Sequence, residues 1–183
     1  MIDPLDNPAP LVRRVYAYAA YRLGDGPEAE DVTSETFERA LRYRESYDAK
    51  KGPPAAWLIG IARRCADDHL RGRAIEAPSG NDDVLGPGEE PGPAEASELR
   101  LDLAAAMAQL STRDRELVAL RYGGDLKVKD IAALLGERTN AVEVALHRAL
   151  DRLRNILEAP ARASSEAAPT HVRATRPRDE PQA

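Results

Sequence analysis

The sequence is poor in the residues on which disulfide scaffolds, metal sites and catalytic centres depend. Its one cysteine, Cys65, excludes an intramolecular disulfide and a cysteine-based zinc cluster. Its three histidines form no cluster, and neither paired catalytic carboxylates nor a glycine-rich phosphate loop stands out. We therefore expect no enzyme, no metal and no cofactor, and we expect Cys65 to be a small core residue.

Long apolar runs are also missing. No segment approaches the length of a membrane span, and the N-terminus lacks the pattern of a signal peptide. These features predict a cytoplasmic protein with no membrane partner.

Aromatic residues are scarce, at 4% of the 183 residues, although hydrophobic residues together reach 43%. The core must therefore consist of Leu, Ala, Val and Ile, and such a composition favours helices over a β-sandwich. Apolar residues also recur at helical spacing along most of the chain. The sequence predicts an all-α fold.

Charge is spread unevenly over a chain whose net charge is −5. Residues 74–98 hold seven acidic residues, no basic residue, and eight prolines and glycines. Because so many helix breakers stand together, we predict a flexible acidic linker over residues 74–96. It separates a helical domain over residues 1–73 from another over 97–158, and residues 159–183 read as a disordered tail.

The first domain carries two surface features with both an ordinary and a functional interpretation. Asp31, Glu35 and Glu38 share one face of a predicted helix, which alone is typical of a solvated surface. A basic strip of four arginines lies near Trp57, an arrangement used to bind nucleic acids. The same strip also fits a solvated helix face with Trp57 in the core. The four arginines are Arg63, Arg64, Arg71 and Arg73.

The second domain has clearer helix boundaries. Ser111 and Asp114 resemble a capping box. The stretch 128–136 predicts a short helix ended by Gly136, and Thr139 is suited to cap a longer helix. A short helix, a turn and a second helix predict a DNA-binding helix-turn-helix, with an ordinary helical hairpin as the alternative.

Four motifs resemble the extracytoplasmic-function (ECF) group of bacterial RNA polymerase sigma factors. In the first domain they are AEDVTSETFERAL at 29–41 and WLIGIARRCADDHLR at 57–71. In the second they are DIAALLG at 130–136 and AVEVALHRA at 141–149. Each motif alone is moderately specific, but their order around a linker is characteristic. The resemblance covers roughly residues 10–73 and 97–158.

The resemblance implies a sigma factor that binds core RNA polymerase and directs transcription initiation by recognising the −10 and −35 promoter elements. Its partners would be core RNA polymerase and promoter DNA. The resemblance is also compatible with an anti-sigma factor as a further partner. The implied polymerase-binding residues are Asp31, Ser34, Glu35 and Glu38. Those implied for the −10 element are Tyr47, Trp57, Arg63, Arg64, Asp67 and Arg71. Those implied for the −35 element are Arg138, Thr139, Asn140, Glu143, Val144, His147 and Arg148. The loop over 43–54 would receive an unstacked base of the opened strand.

Several positions depart from the family pattern. Ser34 stands where Gln is frequent, and Lys127 stands where a capping Ser or Thr is frequent. The family commonly has Lys or Arg at Glu143 and Arg at Ala145. Because Glu143 repels phosphate but can accept a hydrogen bond from cytosine, we expect it to influence promoter preference.

Two other functions remain compatible with the residues. One is a stand-alone helix-turn-helix regulator whose first domain senses a signal, which dimeric binding to a palindrome without polymerase would favour. The other is an interaction protein that binds polymerase or an anti-sigma factor without reading DNA, as Glu143 and Ala145 allow.

Overall fold

The structure, a computed structural model, describes residues 3–76 and 94–166. These two stretches contain seven α-helices and no β-strand, which confirms the predicted all-α fold. We call residues 3–76 the N-terminal unit and residues 94–166 the C-terminal unit. Within these residues no helix combines the length and apolar character needed to cross a bilayer.

The N-terminal unit is a three-helix bundle in which each helix begins at a proline. Proline suits the first helical position because its φ is already helical and its missing N–H would have no partner there. Gly24 and Gly26 adopt φ values of 100° and 142°, so the turn between the first two helices depends on glycine. The helices are α1 (Pro8–Leu23), α2 (Pro27–Arg42) and α3 (Pro54–Glu76), with a 3₁₀ turn at Arg44–Ser46.

The core of this unit is formed by one apolar face from each helix. Tyr18, Val32 and Leu58 are fully buried among the helices. Cys65 is also fully buried, and burial raises the pKa of its thiol. The prediction of a core cysteine is therefore confirmed.

The C-terminal unit is a second helical bundle. The Ser111 side chain accepts a hydrogen bond of 3.1 Å from the Asp114 backbone N–H, so the predicted cap is confirmed. The helix that begins at Thr112 widens into a π turn at Ala119–Gly123 before it ends. The helices are α4 (Ala94–Ala108), α5 (Thr112–Val118), α6 (Val128–Leu135) and α7 (Thr139–Glu166).

The helices of the structure extend past three of the predicted boundaries. Helices occupy both edges of the predicted linker, since α3 reaches Glu76 and α4 begins at Ala94. Helix α7 continues to Glu166 although the tail was predicted from residue 159. Alanines at 159, 161 and 163 favour helix, whereas Pro160 between them disfavours it, and α7 continues through both. The rest of the predicted linker and tail lies outside the described residues.

The two units pack directly against each other. Helix α1 contacts α5 and the π turn, and helix α3 contacts α6. Apolar residues of both units, such as Tyr18 and Leu120, belong to one buried cluster. Gly123 lies close to the α1 backbone, since a Cβ added there would lie 2.7 Å from the Tyr18 Cα. The all-α architecture therefore consists of two helical units with a close interface.

Candidate nucleic-acid interface

Helices α6 and α7 form the predicted helix-turn-helix. Gly136 ends α6 in the left-handed conformation, with φ 68° and ψ 30°. The Glu137 N–H donates to the Ala132 carbonyl at 2.9 Å, and the Gly136 N–H donates to the Ala133 carbonyl at 3.4 Å. This Schellman pattern satisfies the free carbonyls at the end of α6 and reverses the chain tightly into α7. Thr139 was predicted as a cap, but it is the first residue of α7.

The first half of α7 has one buried face and one exposed face. Val142 and Leu146 are buried against the rest of the fold, and this fixes the rotation of the helix about its axis. All seven residues predicted for the −35 element lie at exposed positions at the start of α7 or just before it. They are Arg138, Thr139, Asn140, Glu143, Val144, His147 and Arg148.

The basic residues along α7 differ in whether their side chains contact a carboxylate. Arg152 donates to both carboxylate oxygens of Asp114, at 2.8 and 2.9 Å. Arg154 donates to Asp151 at 3.4 Å, and His147 lies 3.4 Å from the same carboxylate. Arg148 and Arg138 are exposed near the start of the helix, where phosphate contacts are geometrically accessible.

Tyr47 and Trp57, both predicted for the −10 element, lie together at a small cavity. Their rings meet edge to face with centroids 5.7 Å apart. The Tyr47 hydroxyl donates to the Gly52 carbonyl at 3.2 Å and so holds the loop between α2 and α3. The cavity measures about 200 Å³, and one of its walls is Asp130, Ala133 and Leu134 of α6.

The charged residues predicted for the −10 element lie along α3 in different surroundings. Arg63 lies at the interface between the units, and its Nε donates to Glu116 of α5 at 2.5 Å. Asp67 accepts a hydrogen bond of 3.0 Å from the buried Arg22. Arg64 is exposed, and Arg71 is exposed with its guanidinium 3.2 Å from Asp68.

The acidic face of α2 lies away from the interface between the units. Asp31, Ser34 and Glu38 are exposed on it. Glu35 is partly buried and accepts a hydrogen bond of 2.6 Å from Arg39. The pair fixes the Glu35 carboxylate, whereas the other three residues are open to a partner.

Three residues in this region escaped the sequence reasoning. Glu116 and Gly123 acquire their roles where the two units meet, whereas Arg22 of α1 pairs with Asp67 of α3 inside the N-terminal unit. Glu116 and Arg22 sit among apolar residues in their helices, and buried charge on a predicted inner face is the one signal that could have drawn attention to them. Nothing in the sequence pairs Glu116 with Arg63, which lies 53 positions away.

The fold and this surface define an all-helical, DNA-binding helix-turn-helix protein, and comparison with known proteins narrows the class. The family model for Sigma-70 region 2 matches residues 9–75. The model for Sigma-70, region 4 matches residues 100–153. The two matches together cover most of both units.

Curated relatives agree with these family matches. The chain is 33% identical over 152 residues to the ECF RNA polymerase sigma factor BldN of Streptomyces coelicolor, covering 81% of this chain and 58% of BldN. It is 33% identical to the ECF RNA polymerase sigma factor SigL of Mycobacterium tuberculosis, covering 79% of this chain and 82% of SigL. It is 30% identical to the ECF sigma factor SigM of Bacillus subtilis, covering 76% and 86% of the two chains.

Solved structures share the fold. The sigma factor RpoE in complex with the anti-sigma factor NepR from Bartonella quintana superposes with a TM-score of 0.60 at 21% identity, covering 81% of this chain and 92% of RpoE. CnrH in complex with the cytosolic domain of CnrY gives a TM-score of 0.57 at 25% identity, covering 81% and 82%.

The chain belongs to the ECF group of RNA polymerase sigma factors. This is a family of transcription initiation factors and not of enzymes. Core RNA polymerase and promoter DNA are accordingly its partners, and its function is to direct transcription initiation.

Proposed function

We propose that this chain divides promoter recognition between its two units, with α2 bound to the polymerase, α3 and its preceding loop at the −10 element, and α7 at the −35 element. The observation that carries the proposal is the exposed face of α7, which is presented by a capped turn and an inner face anchored in the core. That geometry lets a helix enter a major groove without disturbing the fold.

The proposed −35 contact depends on the first two turns of α7. Arg138 and Arg148 would hold phosphates, and Asn140 and Glu143 would face base edges, because all four are exposed there. In a reporter assay on a −35-dependent promoter, Arg148→Ala should reduce transcription strongly. Arg154→Ala is the matched control, since Arg154 lies on the same helix but is paired with Asp151.

The proposed polymerase contact uses the acidic face of α2. Asp31, Ser34 and Glu38 are exposed on one helix surface, and exposed carboxylates can pair with basic residues of a partner. Glu38→Lys should therefore reverse the attraction and weaken capture of core polymerase on immobilised protein. Asp6→Lys makes the same charge change at an exposed position before α1 and should leave capture unchanged.

An anti-sigma factor is a further proposed partner. Support comes from the matched structures, in which the related sigma factors RpoE and CnrH are bound to NepR and CnrY. We also propose that the chain acts in the cytoplasm and catalyses no reaction itself, which agrees with its family.

The experiment that tests the whole proposal is transcription in vitro with core RNA polymerase, this protein and a library of genomic fragments. We expect transcripts from a small set of defined start points. The DNA upstream of these start points should share two sequence elements, each at its own distance from the start. Random starts, or starts identical to those of core polymerase alone, would overturn the proposal.

A further inference from the structure

The outer face of α7 carries a row of charged and polar residues that extends past those assigned to the −35 element. Glu143, His147, Asp151 and Arg154 follow one another at intervals of four, four and three residues, so their side chains lie along one side of the helix. Asp151 has no role in the proposed function. It lies one turn farther than His147 from the start of α7, where a recognition helix contacts base edges. Any part that Asp151 plays in reading DNA must therefore be indirect.

The Asp151 carboxylate lies beside the His147 ring. The His147 Nε2 is 3.4 Å from one carboxylate oxygen, and the Arg154 guanidinium is 3.4 Å from the other. Among the described residues, Asp151 is the one carboxylate within 4 Å of this ring. The only neighbour that can orient the His147 imidazole by charge at this distance is therefore Asp151.

This contact decides which ring nitrogen of His147 carries the hydrogen. In a neutral imidazole one nitrogen donates a hydrogen bond and the other accepts one. A carboxylate oxygen attracts an N–H and repels a lone pair, so the hydrogen belongs on the Nε2 that faces Asp151. The lone pair is then on Nδ1, and His147 can accept a hydrogen bond there.

The His147 ring is open to DNA at the correct end of the helix. Its side chain is 79% exposed, whereas Leu146 and Ala149 on the inner face are buried. Side chains of an α-helix lean toward its N-terminus. The ring therefore leans toward the turn that holds Glu143, which is the part of α7 proposed to enter the major groove.

Glu143 and His147 thus offer base edges the same chemistry. An ionised carboxylate only accepts hydrogen bonds, and the neutral His147 ring accepts at Nδ1. In the major groove cytosine and adenine present amino donors, whereas guanine presents two acceptors and thymine an acceptor and a methyl group. Two acceptors on adjacent turns therefore favour cytosine or adenine at the bases that they face.

We propose that the outer face of α7 selects a −35 element whose facing bases carry amino groups, and that Asp151 is the positioning residue that makes His147 an acceptor for one of them. The inference rests on the proposed −35 role of α7. It adds the chemical class of base that this helix reads and a residue that acts on the DNA only through His147.

Methylated bases test the contact with amino groups directly. N6-methyladenine and N4-methylcytosine still form Watson–Crick pairs, but in the pair the methyl group replaces the amino hydrogen that faces the major groove. The probe is a fluorescent duplex that holds the −35 element of one mapped promoter and ends before its −10 element. Each adenine and cytosine of the element is methylated singly. Binding to the full chain in complex with core polymerase is measured by anisotropy at about pH 8, where imidazole is ordinarily neutral.

We expect methylation at one position to weaken binding several-fold in the wild type and to have no effect in His147→Ala. Methylation at a second position should behave in the same way with Glu143→Ala. If no methyl group weakens binding, or if the losses persist in both variants, while the element is still preferred over a scrambled duplex, the inference is overturned and the proposed function stands. If the wild type does not distinguish the element from the scrambled duplex, the proposed −35 role of α7 is overturned as well.

A double-mutant cycle tests whether Asp151 acts through His147. Asp151→Ala removes a negative charge near DNA, so charge repulsion alone predicts tighter binding. We expect instead that it weakens binding of the unmodified duplex several-fold, and that it has no effect in the His147→Ala background. Asp151→Glu keeps the carboxylate and should retain most of the binding. Asp102→Ala is the matched control at an exposed position of α4 and should leave the affinity unchanged.

Two results of the cycle would exclude the positioning role of Asp151. One is tighter binding by Asp151→Ala, which would show only the removal of a repelling charge. The other is an equal loss of affinity with and without the His147 side chain, which would show that Asp151 acts by another route. Circular dichroism of each variant confirms that the helices are kept, and the methylation scan of the wild type needs no variant.

Discussion

At the scale of single residues, side chains of the same type differ in solvent exposure and in whether they form an ion pair. Arg148, Arg152 and Arg154 follow one another on α7, and all three suit phosphate contact by type. Arg152 donates to both carboxylate oxygens of Asp114, whereas the exposed Arg154 lies 3.4 Å from Asp151. The sequence can place arginines on a helix, but it cannot say which of them already has a carboxylate partner.

Glu143 gives the first prediction at this scale. It is exposed on the outer face of α7, where a carboxylate can accept a hydrogen bond from cytosine but repels phosphate. Glu143→Ala should change the preferred −35 sequence in a selection from a randomised −35 library. Capture of core polymerase should not change. An unaltered preference would contradict the predicted role.

Tyr16 gives a pH-dependent prediction. The hydrogen bond that its hydroxyl donates to Asp25, together with burial, raises its pKa from 10.0 to about 12. The unfolded chain therefore releases this proton first as the pH rises, so the stabilisation by Tyr16 is present below pH 10 and is lost between pH 10 and 12. The difference in unfolding free energy between wild type and Tyr16→Phe should shrink across that window. A constant difference would contradict the assignment.

At the scale of helices, local signals in the sequence predict starts and turns well. Ser111 and Gly136 act as the sequence predicts, because a capping hydroxyl and a left-handed glycine work through the adjacent backbone alone. The helix ends next to the linker and the tail are less predictable from the sequence. Helix and coil differ little in free energy for the alanines there, so the residue at which the helix ends is poorly determined. The π turn at Ala119–Gly123 has no local signal, because it accompanies the close packing of Gly123 on α1.

Ser111 gives the prediction for this scale. Its hydroxyl accepts from the Asp114 N–H at the start of α5, so Ser111→Ala should lower the free energy of unfolding by about 1 kcal/mol. Chemical denaturation monitored by circular dichroism measures the loss. Ser46→Ala is a suitable comparison because the Ser46 hydroxyl is exposed and donates to the Tyr43 carbonyl at a 3₁₀ turn. An equal, negligible effect of both substitutions would contradict the capping role.

At the scale of the whole molecule, the sequence predicts two helical domains but not their contact. Arg63 was assigned to an outer helix face, and it is partly covered because the C-terminal unit packs there. Ile59 is fully buried, and its side chain lies beside Gly124 of the C-terminal unit, so α3 is covered on more than the one face that its periodicity indicates. Contacts between distant segments depend on tertiary packing, which helical periodicity does not encode.

Gly123 gives the prediction for the interface. Gly123→Ala would bring a methyl group against the backbone of α1, which cannot yield as a flexible side chain can. We expect the units to separate and the radius of gyration from small-angle X-ray scattering to rise while the helical content is kept. Gly72→Ala is the matched control, since a Cβ there meets nothing within 4 Å. An unchanged radius in the Gly123 variant would contradict the close packing.

We propose that the two units of this sigma factor read two separate promoter elements. Transcription by core polymerase and this protein from one mapped promoter tests it most directly, when the −10 and −35 sequences are replaced one at a time. We predict that either replacement strongly reduces the transcript and that restoring the sequence restores it. A transcript that persists at full level after either replacement would contradict the claim.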